Sequence, residues 1–174
     1  MFINLSDVLS EHHKPIDKVV PVEMTDIDTA LGLMPVIEKE DVHIVVKHVK
    51  QKELTIDGFC RLVLEIPCDR CLEPVATKFD LKFSKNVDLA ADDNQIDELD
   101  EKNYIDGYNL DVDKLLYNEI LIGWPMKILC SETCKGICNT CGQNLNKGTC
   151  NCEDTSLDPR MSVIRDVFKN FKEV

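Results

Sequence analysis

No stretch of this sequence is apolar over a sufficient length to cross a membrane. A transmembrane helix needs roughly 18 consecutive apolar residues, and no segment of the 174-residue chain approaches that length. The opening stretch MFINLSDVLSEHH also lacks the basic flank and apolar run of a secretory signal. We therefore expect a cytoplasmic protein without a membrane-spanning segment.

Positive charge is scarce in this chain. It has 20 Lys and Arg residues against 32 Asp and Glu residues, which gives a formal net charge of −12. Residues 88–113 contain ten carboxylates and one lysine, whereas residues 39–86 are nearly neutral and leave room for a local basic face. Nonspecific RNA binding depends on Lys and Arg side chains that neutralise phosphates. The acidic composition disfavours such binding and favours a protein partner with a basic surface.

The sequence also lacks the motifs of common enzymes. It contains no HExxH motif, no glycine-rich phosphate-binding loop and no Ser, His and Asp ordering of the kind found in hydrolases. We therefore expect a protein that is not an enzyme and has no small-molecule substrate.

Two stretches with a period of two predict a long antiparallel β-hairpin. Residues 54–66 have mostly apolar side chains at even positions, and residues 75–83 have them mostly at odd positions. This alternation is typical of strands that are buried on one face. The connection between them, PCDRCLEP, is bounded by Pro67 and Pro74, which interrupt the hydrogen-bond ladder at both ends. Residues 36–50 are rich in β-branched side chains and predict another strand.

Helices are predicted at two places after the hairpin. Residues 111–123 have apolar side chains at helical spacing, with Asn109 or Asp111 as the N-terminal cap and Gly123 at the end. The sequence Asp158-Pro159 precedes a second amphipathic pattern that predicts a short C-terminal helix. The first helix is expected to pack on the sheet.

These elements predict an α+β fold. Its core is an antiparallel β-sheet or partial barrel with one packed helix, followed by a small cysteine-rich, zinc-binding segment that ends in a helix. The predicted domains are a β-rich core over residues 1–125, with a mobile acidic loop at residues 88–109, and the cysteine-rich segment with its helix over residues 126–174. A chain of this length can bury one core of useful size.

The cysteines are concentrated between residues 130 and 152, which hold six of the nine. The spacing Cys-x-x-Cys followed by glycine is typical of a zinc knuckle, because two thiolates separated by two residues can reach one cation. Clustered cysteines, odd in number and without an export signal, favour bound metal over disulfides. We predict a structural zinc ion with the ligands Cys138, Cys141, Cys150 and Cys152. One residue between the last two is tight for two ligands, so Cys130 or Cys134 can substitute for one of them.

Cys68 and Cys71, at the hairpin tip, are the second candidate functional element. Such a pair can be half of a zinc site, a redox dithiol or a rigid turn, and spacing alone does not decide among them. A thioredoxin-type dithiol lies at a helix N-terminus, whose dipole lowers the thiol pKa, whereas this pair follows a strand. Arg70 lies between the cysteines and can point outward to contact phosphate or carboxylate. We therefore assign a binding role to Cys68, Arg70 and Cys71.

Several of these motifs together resemble the YceD family, the large ribosomal RNA subunit accumulation proteins. The resemblance covers roughly residues 40–170 and includes the tip CDRCLEP, the helix before Pro125, the run CKGICNTCGQNLN with CNC, and DPR. The residues that match the family motifs are Cys68, Arg70, Cys71, Cys134, Gly136, Cys138, Cys141, Gly142, Asn144, Leu145, Asn146, Cys150, Cys152, Asp158, Pro159 and Arg160.

The resemblance implies a bacterial, non-enzymatic factor in ribosome biogenesis that is needed for normal accumulation of large-subunit rRNA. The implied partner is a ribosomal protein or a pre-ribosomal particle, and direct contact with RNA stays open. Some members of the family lack much of the cysteine-rich tail and keep the Cys-x-Arg-Cys tip. Zinc is therefore expected to clip the C-terminal segment in place and not to be the shared activity.

A second hypothesis comes from the zinc ligands themselves. Cys-x-x-Cys with Cys-x-Cys resembles the metal centre of the redox-regulated chaperone that releases zinc on oxidation. Exposed thiolates of this kind are open to oxidation. The alternative function is thus a zinc-thiol redox switch.

Overall fold

The computed structural model describes residues 1–10, 13–50, 53–88 and 103–152. The chain divides into two compact units. The first unit contains residues 1–66 and 75–126, and the second contains residues 67–74 and 127–174. The second unit therefore includes the hairpin tip, which the predicted domain boundary leaves with the β-rich core.

The described residues form nine strands and two helices. In chain order they are β1 (Phe2–Asn4), α1 (Ser6–Leu9), β2 (Ile16–Val20), β3 (Asp26–Thr29), β4 (Gly32–Lys39), β5 (Val42–Lys50), β6 (Glu53–Pro67), β7 (Pro74–Asp88), β8 (Ile105–Asp106), β9 (Asn109–Asp111) and α2 (Val112–Ile122). None of the described helices is long and apolar enough to cross a lipid bilayer.

The strands form two antiparallel sheets. The larger sheet has six strands in the order β2-β5-β6-β4-β3, with β7 paired to β6, and the smaller has the order β1-β9-β8. Strand β6 is long enough to pair with β5 along its first half and with β4 near Leu62–Leu64. The antiparallel sheet of the prediction is confirmed, and the described strands do not close into a barrel.

Strands β6 and β7 are the predicted hairpin. The side chains of Leu54, Ile56, Cys60, Leu62, Leu64 and Ile66 in β6 are all buried, and those of Phe79, Leu81, Phe83 and Val87 follow the same alternation in β7. Side-chain hydrogen bonds join Thr55 to Asn86 and Asp57 to Ser84, so the two strands run in opposite directions. The period-two pattern therefore predicted both strands and their buried faces.

Gly58 allows the hairpin to bury an aromatic ring against its own backbone. The Phe83 ring lies directly over the glycine, and a Cβ atom at position 58 would be 2.2 Å from Phe83 Cζ. Two non-bonded carbon atoms do not approach that closely, so the ring or the backbone would have to move. The glycine is thus required by the packing of β6 against β7.

Helix α2 confirms the predicted helix. Asp111 is its N-terminal cap, with its side chain accepting a hydrogen bond from the Lys114 backbone N–H, and Gly123 ends it. Val112, Leu115, Leu116 and Ile120 form its buried face. The Tyr117 hydroxyl donates to the Asp28 carbonyl of β3 at 3.0 Å, and Lys85 of β7 pairs with Glu119 at 2.9 Å. These contacts hold α2 within the first unit.

Two other predicted segments have different outcomes. The predicted acidic loop at residues 88–109 is interrupted by structure, because β8 lies at residues 105–106 and β7 continues to residue 88. Residues 89–102 lie outside the described part of the chain, as does the predicted C-terminal helix after Asp158. The sequence analysis missed the β3–β4 hairpin, in which only Met34 and Ile27 are buried.

Candidate metal centres

Eight of the nine cysteines lie in two groups of four within the second unit. The tip cluster contains Cys68, Cys71, Cys130 and Cys134, and the tail cluster contains Cys138, Cys141, Cys150 and Cys152. In each cluster the four sulfur atoms all lie within 4.8 Å of one another. All nine cysteines are free thiols in this structure. Cys60 belongs to neither cluster and is buried in β6.

The tip cluster draws its sulfurs from two distant parts of the chain. Cys68 Sγ is 3.9 Å from Cys134 Sγ, and Cys71 Sγ is 3.5 Å from Cys130 Sγ. Three of the four cysteines are buried, and Cys130 is exposed. The hairpin tip and residues 130–134 are thus brought together around a shared group of thiols.

The tail cluster is local in sequence and more open to solvent. Its four cysteines lie within residues 138–152, and Cys141 and Cys152 are exposed while the other two are half-buried. An isolated antiparallel bridge joins Ile137 to Asn144 across the turn that carries the first pair. These four cysteines are the predicted zinc ligands, and the structure brings all of them together.

Both Cys-x-x-Cys turns have the same backbone hydrogen bonds. The Cys68 N–H donates to the Glu73 carbonyl at 2.8 Å, and the Cys138 N–H donates to the Gln143 carbonyl at 2.9 Å. In each turn the fifth residue also donates back to the carbonyl of the first cysteine, at 3.0 Å from Leu72 and 2.8 Å from Gly142. The tip turn is therefore a second copy of the tail knuckle.

The residue after the second cysteine is left-handed in both turns. Its φ is +61° at Leu72 and +74° at Gly142. Glycine adopts this conformation without steric cost, whereas a leucine in it is strained by roughly 1–2 kcal/mol. The tip turn keeps the knuckle conformation although its sequence opposes it.

Backbone N–H groups point at the sulfur of Cys68. Burial alone would raise the pKa of this thiol, but hydrogen bonds from the N–H groups of Arg70, Cys130 and Cys71 favour the thiolate and lower the pKa to about 6. The Cys130 N–H is 3.4 Å from Cys68 Sγ. At neutral pH the tip cluster therefore contains a thiolate, which is the form that binds metal.

The other sulfurs of the tip cluster titrate differently because they share one small volume. Cys130 retains its proton, since its hydrogen bonds to the sulfurs of Cys71 and Cys134 raise its pKa to about 12. Asn146 donates its side-chain N–H to Cys134 Sγ at 3.2 Å, and this bond lowers the pKa of Cys134. A cation bound among the four sulfurs would remove the repulsion that keeps Cys130 protonated.

The tail cluster shows the same division. N–H groups of Cys141 and Thr140 donate to Cys138 and lower its pKa to about 6, whereas the hydrogen bond to the sulfur of Cys141 raises the pKa of Cys152 to about 12. Each cluster therefore has one cysteine, Cys68 or Cys138, whose turn stabilises the thiolate. Each also has one cysteine, Cys130 or Cys152, that would lose its proton only when a cation binds.

Asp69 and Arg70 tie the tip turn to the chain that carries the other two cysteines. The Asp69 N–H donates to the Ile128 carbonyl at 2.9 Å, and the Ile128 N–H donates to the Asp69 carboxylate at 2.7 Å. Arg70 Nη1 donates to the Cys134 carbonyl at 2.7 Å. Arg70, which the sequence analysis assigned to a binding surface, is exposed and holds this carbonyl with one of its five N–H groups.

A third attachment joins the tip turn to the tail. Lys147 Nζ lies 2.6 Å from Glu73 Oε1, and the Asn144 side chain donates to the same oxygen at 3.2 Å. The lysine and the amide hold the pKa of Glu73 below its usual value of 4.5. Gly136 passes so close to the tip that a Cβ there would be 3.1 Å from the Arg70 carbonyl oxygen.

The sequence analysis placed Cys130 and Cys134 as substitutes in the tail site, whereas the structure groups them with Cys68 and Cys71. Of the three interpretations left open for the tip, half of a metal site is the one that agrees with four sulfurs lying within 4.8 Å of one another, and zinc as the metal stays a prediction. The sequence does contain a signal for this grouping. Once the tail ligands are assigned, Cys68 with Cys71 and Cys130 with Cys134 remain as two closely spaced pairs without an assigned partner.

Two of the basic side chains on the outer face of the sheet in the first unit are paired with carboxylates. Arg61 Nε lies 3.0 Å from Asp80, and Lys47 Nζ lies 3.7 Å from Asp57. The Arg61 guanidinium also lies 5.1 Å from the centre of the Phe59 ring. These pairs reduce the positive charge available to a phosphate backbone on this face.

Known proteins that resemble this chain share one description. A family model for the large ribosomal RNA subunit accumulation protein YceD matches residues 56–168. The curated protein "Large ribosomal RNA subunit accumulation protein YCED homolog 1, chloroplastic" of Zea mays is 26% identical over 149 residues, which is 69% of this chain and 50% of the relative. The protein of the same name from Arabidopsis thaliana is 26% identical over 130 residues, which is 59% of this chain and 40% of the relative.

The chain therefore spans half or less of the length of these curated relatives. No solved structure matches it. Both relatives carry the word chloroplastic in their names, and the cytoplasmic location of this chain stays a prediction.

Proposed function

This chain belongs to the YceD family, and we propose on that basis that it is a non-enzymatic factor that supports accumulation of large-subunit rRNA in ribosome biogenesis. The observation that carries the proposal is the family match over residues 56–168, which includes most of the β6–β7 hairpin and both cysteine clusters. The names of the two curated relatives describe the same role for those proteins.

We propose that the chain works by binding a basic ribosomal protein within a pre-ribosomal particle. A net charge of −12 opposes direct binding to a phosphate backbone. The ion pairs of Arg61 and Lys47 on the outer sheet face further support a protein partner over RNA. Ribosomal proteins are rich in basic surface, and complementary charge would speed their association with this chain.

Zinc is proposed as a structural ion in the tail cluster. Four thiolates from short turns are the donor set of a closed structural zinc site, and the turn of Cys138 already directs N–H groups toward its sulfur. Bound zinc would hold residues 138–152 as one unit. No position on the ion would remain open for a substrate, in keeping with a role that is not enzymatic.

Depletion of the protein in its own cells tests the proposed role. The expected result is a lower ratio of large-subunit to small-subunit rRNA, with recovery when the wild-type chain is restored. A Cys60→Ser chain, altered outside both clusters, serves as the matched control and should restore the ratio fully. An unchanged ratio after complete depletion would refute the role in rRNA accumulation.

Affinity purification with and without RNase separates the two modes of binding. A basic ribosomal protein that remains bound after RNase treatment supports direct protein contact. Loss of all ribosomal material on RNase treatment would refute the protein-binding mode and favour contact with pre-rRNA.

Exposure of the tail cluster favours a second candidate function, a redox switch. Cys141 and Cys152 are exposed, so peroxide can reach their sulfur atoms. Peroxide would oxidise two thiolates to one disulfide and be reduced to water, and the lost ligands would release zinc. Zinc release at modest peroxide concentration together with the onset of holdase activity would support this function. Zinc that stays bound under peroxide would exclude it.

A further inference from the structure

The tip cluster has the dimensions of a metal site before any ion is considered. With a Zn–S bond of about 2.3 Å, the sulfurs of a regular tetrahedron lie about 3.8 Å apart. The two sulfur pairs of the cluster, Cys68 with Cys134 and Cys71 with Cys130, are 3.9 and 3.5 Å apart. A small adjustment of these sulfurs would place all four on one ion.

We propose that the tip cluster is a second zinc site and that each chain binds two Zn²⁺ ions. Cys68, Cys71, Cys130 and Cys134 are its four ligands. Each bound ion displaces the protons that remain on its thiols, and no oxidation or reduction takes place. The proposal concerns metal content and does not depend on the rRNA role, which would stand or fall by its own measurements.

The backbone of the tip turn is the strongest support for this assignment. It repeats both hydrogen bonds of the tail knuckle and the left-handed residue after the second cysteine. At Leu72 this conformation opposes the preference of the side chain, so something in the folded protein must hold it. A metal bound by the thiolates of Cys68 and Cys71, which precede Leu72 in the turn, would do so.

Groups around the tip cluster are placed to hold thiolates. The Cys130 N–H and the Asn146 side chain each direct a hydrogen at a cluster sulfur, at 3.4 and 3.2 Å. Four thiolates around Zn²⁺ carry a net charge of about −2, and Arg70 lies beside the cluster with its guanidinium fixed to the Cys134 carbonyl. This cation would offset part of that charge.

A pair of disulfides is a poorer explanation of the same cluster. The sulfurs of a disulfide are about 2.0 Å apart, whereas Cys71 Sγ and Cys130 Sγ are 3.5 Å apart and all four sulfurs of the cluster lie within 4.8 Å of one another. Two disulfides require only that the sulfurs be close in two separate pairs. They do not require all four sulfurs to lie close to one another. A single tetrahedral ion accounts for all four at once.

The two zinc sites would have different structural effects. The tail site closes a short loop, whereas the tip site joins cysteines that are 59 and 66 residues apart in the sequence. Cross-linking a longer loop removes more freedom from the unfolded chain. The tip site would therefore be the one that joins the two separate segments of the second unit.

Metal counting on the full chain tests the proposal. The protein is purified without chelator, and its metals are counted by native mass spectrometry and by elemental analysis. The expected result is two zinc ions in the wild type, one in Cys71→Ser, one in Cys138→Ser and two in the matched control Cys60→Ser. One zinc ion in the wild type, iron in place of zinc, or two zinc ions in Cys71→Ser would overturn the proposal.

A second measurement keeps the test decisive if Cys71→Ser does not fold. Co²⁺ titrated into metal-free wild type should saturate at two equivalents, with the absorption bands of tetrahedral thiolate coordination. Cys134→His substitutes one metal ligand for another, so it should retain two equivalents while shifting the spectrum of one of them. Saturation at one equivalent, or a wild-type spectrum in Cys134→His, would refute the tip site.

Discussion

A methyl group added at Gly58 should destabilise the first unit because it collides with the Phe83 ring. The new Cβ would be 2.2 Å from Cζ, 2.5 Å from Cε2 and 3.0 Å from Cε1 of that ring. Phe83 is only 6% exposed, so the ring has little free space into which to move. Overpacking of this kind costs roughly 1–3 kcal/mol, and the better strand propensity of alanine returns about 0.5–1 kcal/mol.

The expected net loss for Gly58→Ala is therefore about 0–2.5 kcal/mol of unfolding free energy. For a chain of this size, each kcal/mol corresponds to about 2–4 °C in Tm. Urea unfolding in zinc-containing buffer measures the change. Trp124 is the single tryptophan and lies 5.8 Å from the Phe79 ring, so its fluorescence reports on the first unit.

The Phe83→Leu variant supplies the control, because leucine lacks the Cε and Cζ atoms that cause the collision. In that background Gly58→Ala should cost nothing and should stabilise the strand by up to about 1 kcal/mol. The two substitutions would then show a coupling of roughly 0.5–3 kcal/mol. Additive effects, or a wild-type chain stabilised by Gly58→Ala alone, would refute the reasoning.

Three further predictions concern the second unit. Gly142→Leu should lower the stability of the second unit by roughly 1–2 kcal/mol, whereas the reverse exchange Leu72→Gly should change that stability little or raise it. Amide hydrogen exchange measures the stability of both variants. Equal losses in the two variants would contradict the shared knuckle geometry. Because Lys147 lowers the pKa of Glu73, their pair adds stability above pH 4.5 that is lost as pH falls through the folded pKa. Glu73→Gln should thus lower the urea midpoint near neutral pH and leave it unchanged in strong acid, and a pH-independent difference would argue against the pair. Chelation should speed amide exchange at residues 67–74 while β6 and β7 of the first unit stay protected; equal exchange throughout would show that metal does not hold the second unit specifically.

The elements predicted correctly from the sequence have local signals. Alternation over residues 54–66 and 75–83 reports which face of each strand is buried, because side chains of a strand point to opposite faces in turn. Asp111 and Gly123 define helix α2 through the chemistry of its own ends. The β3–β4 hairpin gives no such signal, since it buries few side chains and has Pro35 within β4.

The two cysteine clusters differ in the same way. The tail cluster follows from spacing, because the turn of Cys138 and Cys141 can be recognised within a few residues of sequence. The tip cluster depends on a meeting between Cys71 and Cys130, which are 59 residues apart. Nothing local to either residue specifies that meeting, since it is produced by the path of β7 and α2 between them.

The division of the tip cluster between two distant segments has a consequence for synthesis of the protein. A ribosome adds about 5–20 residues per second. Because Cys130 lies 59 residues after Cys71, it is synthesised about 3–12 seconds later. During that interval the nascent hairpin carries two thiols without their partners. Zinc supply and a reducing environment would then matter most while the chain is still being translated.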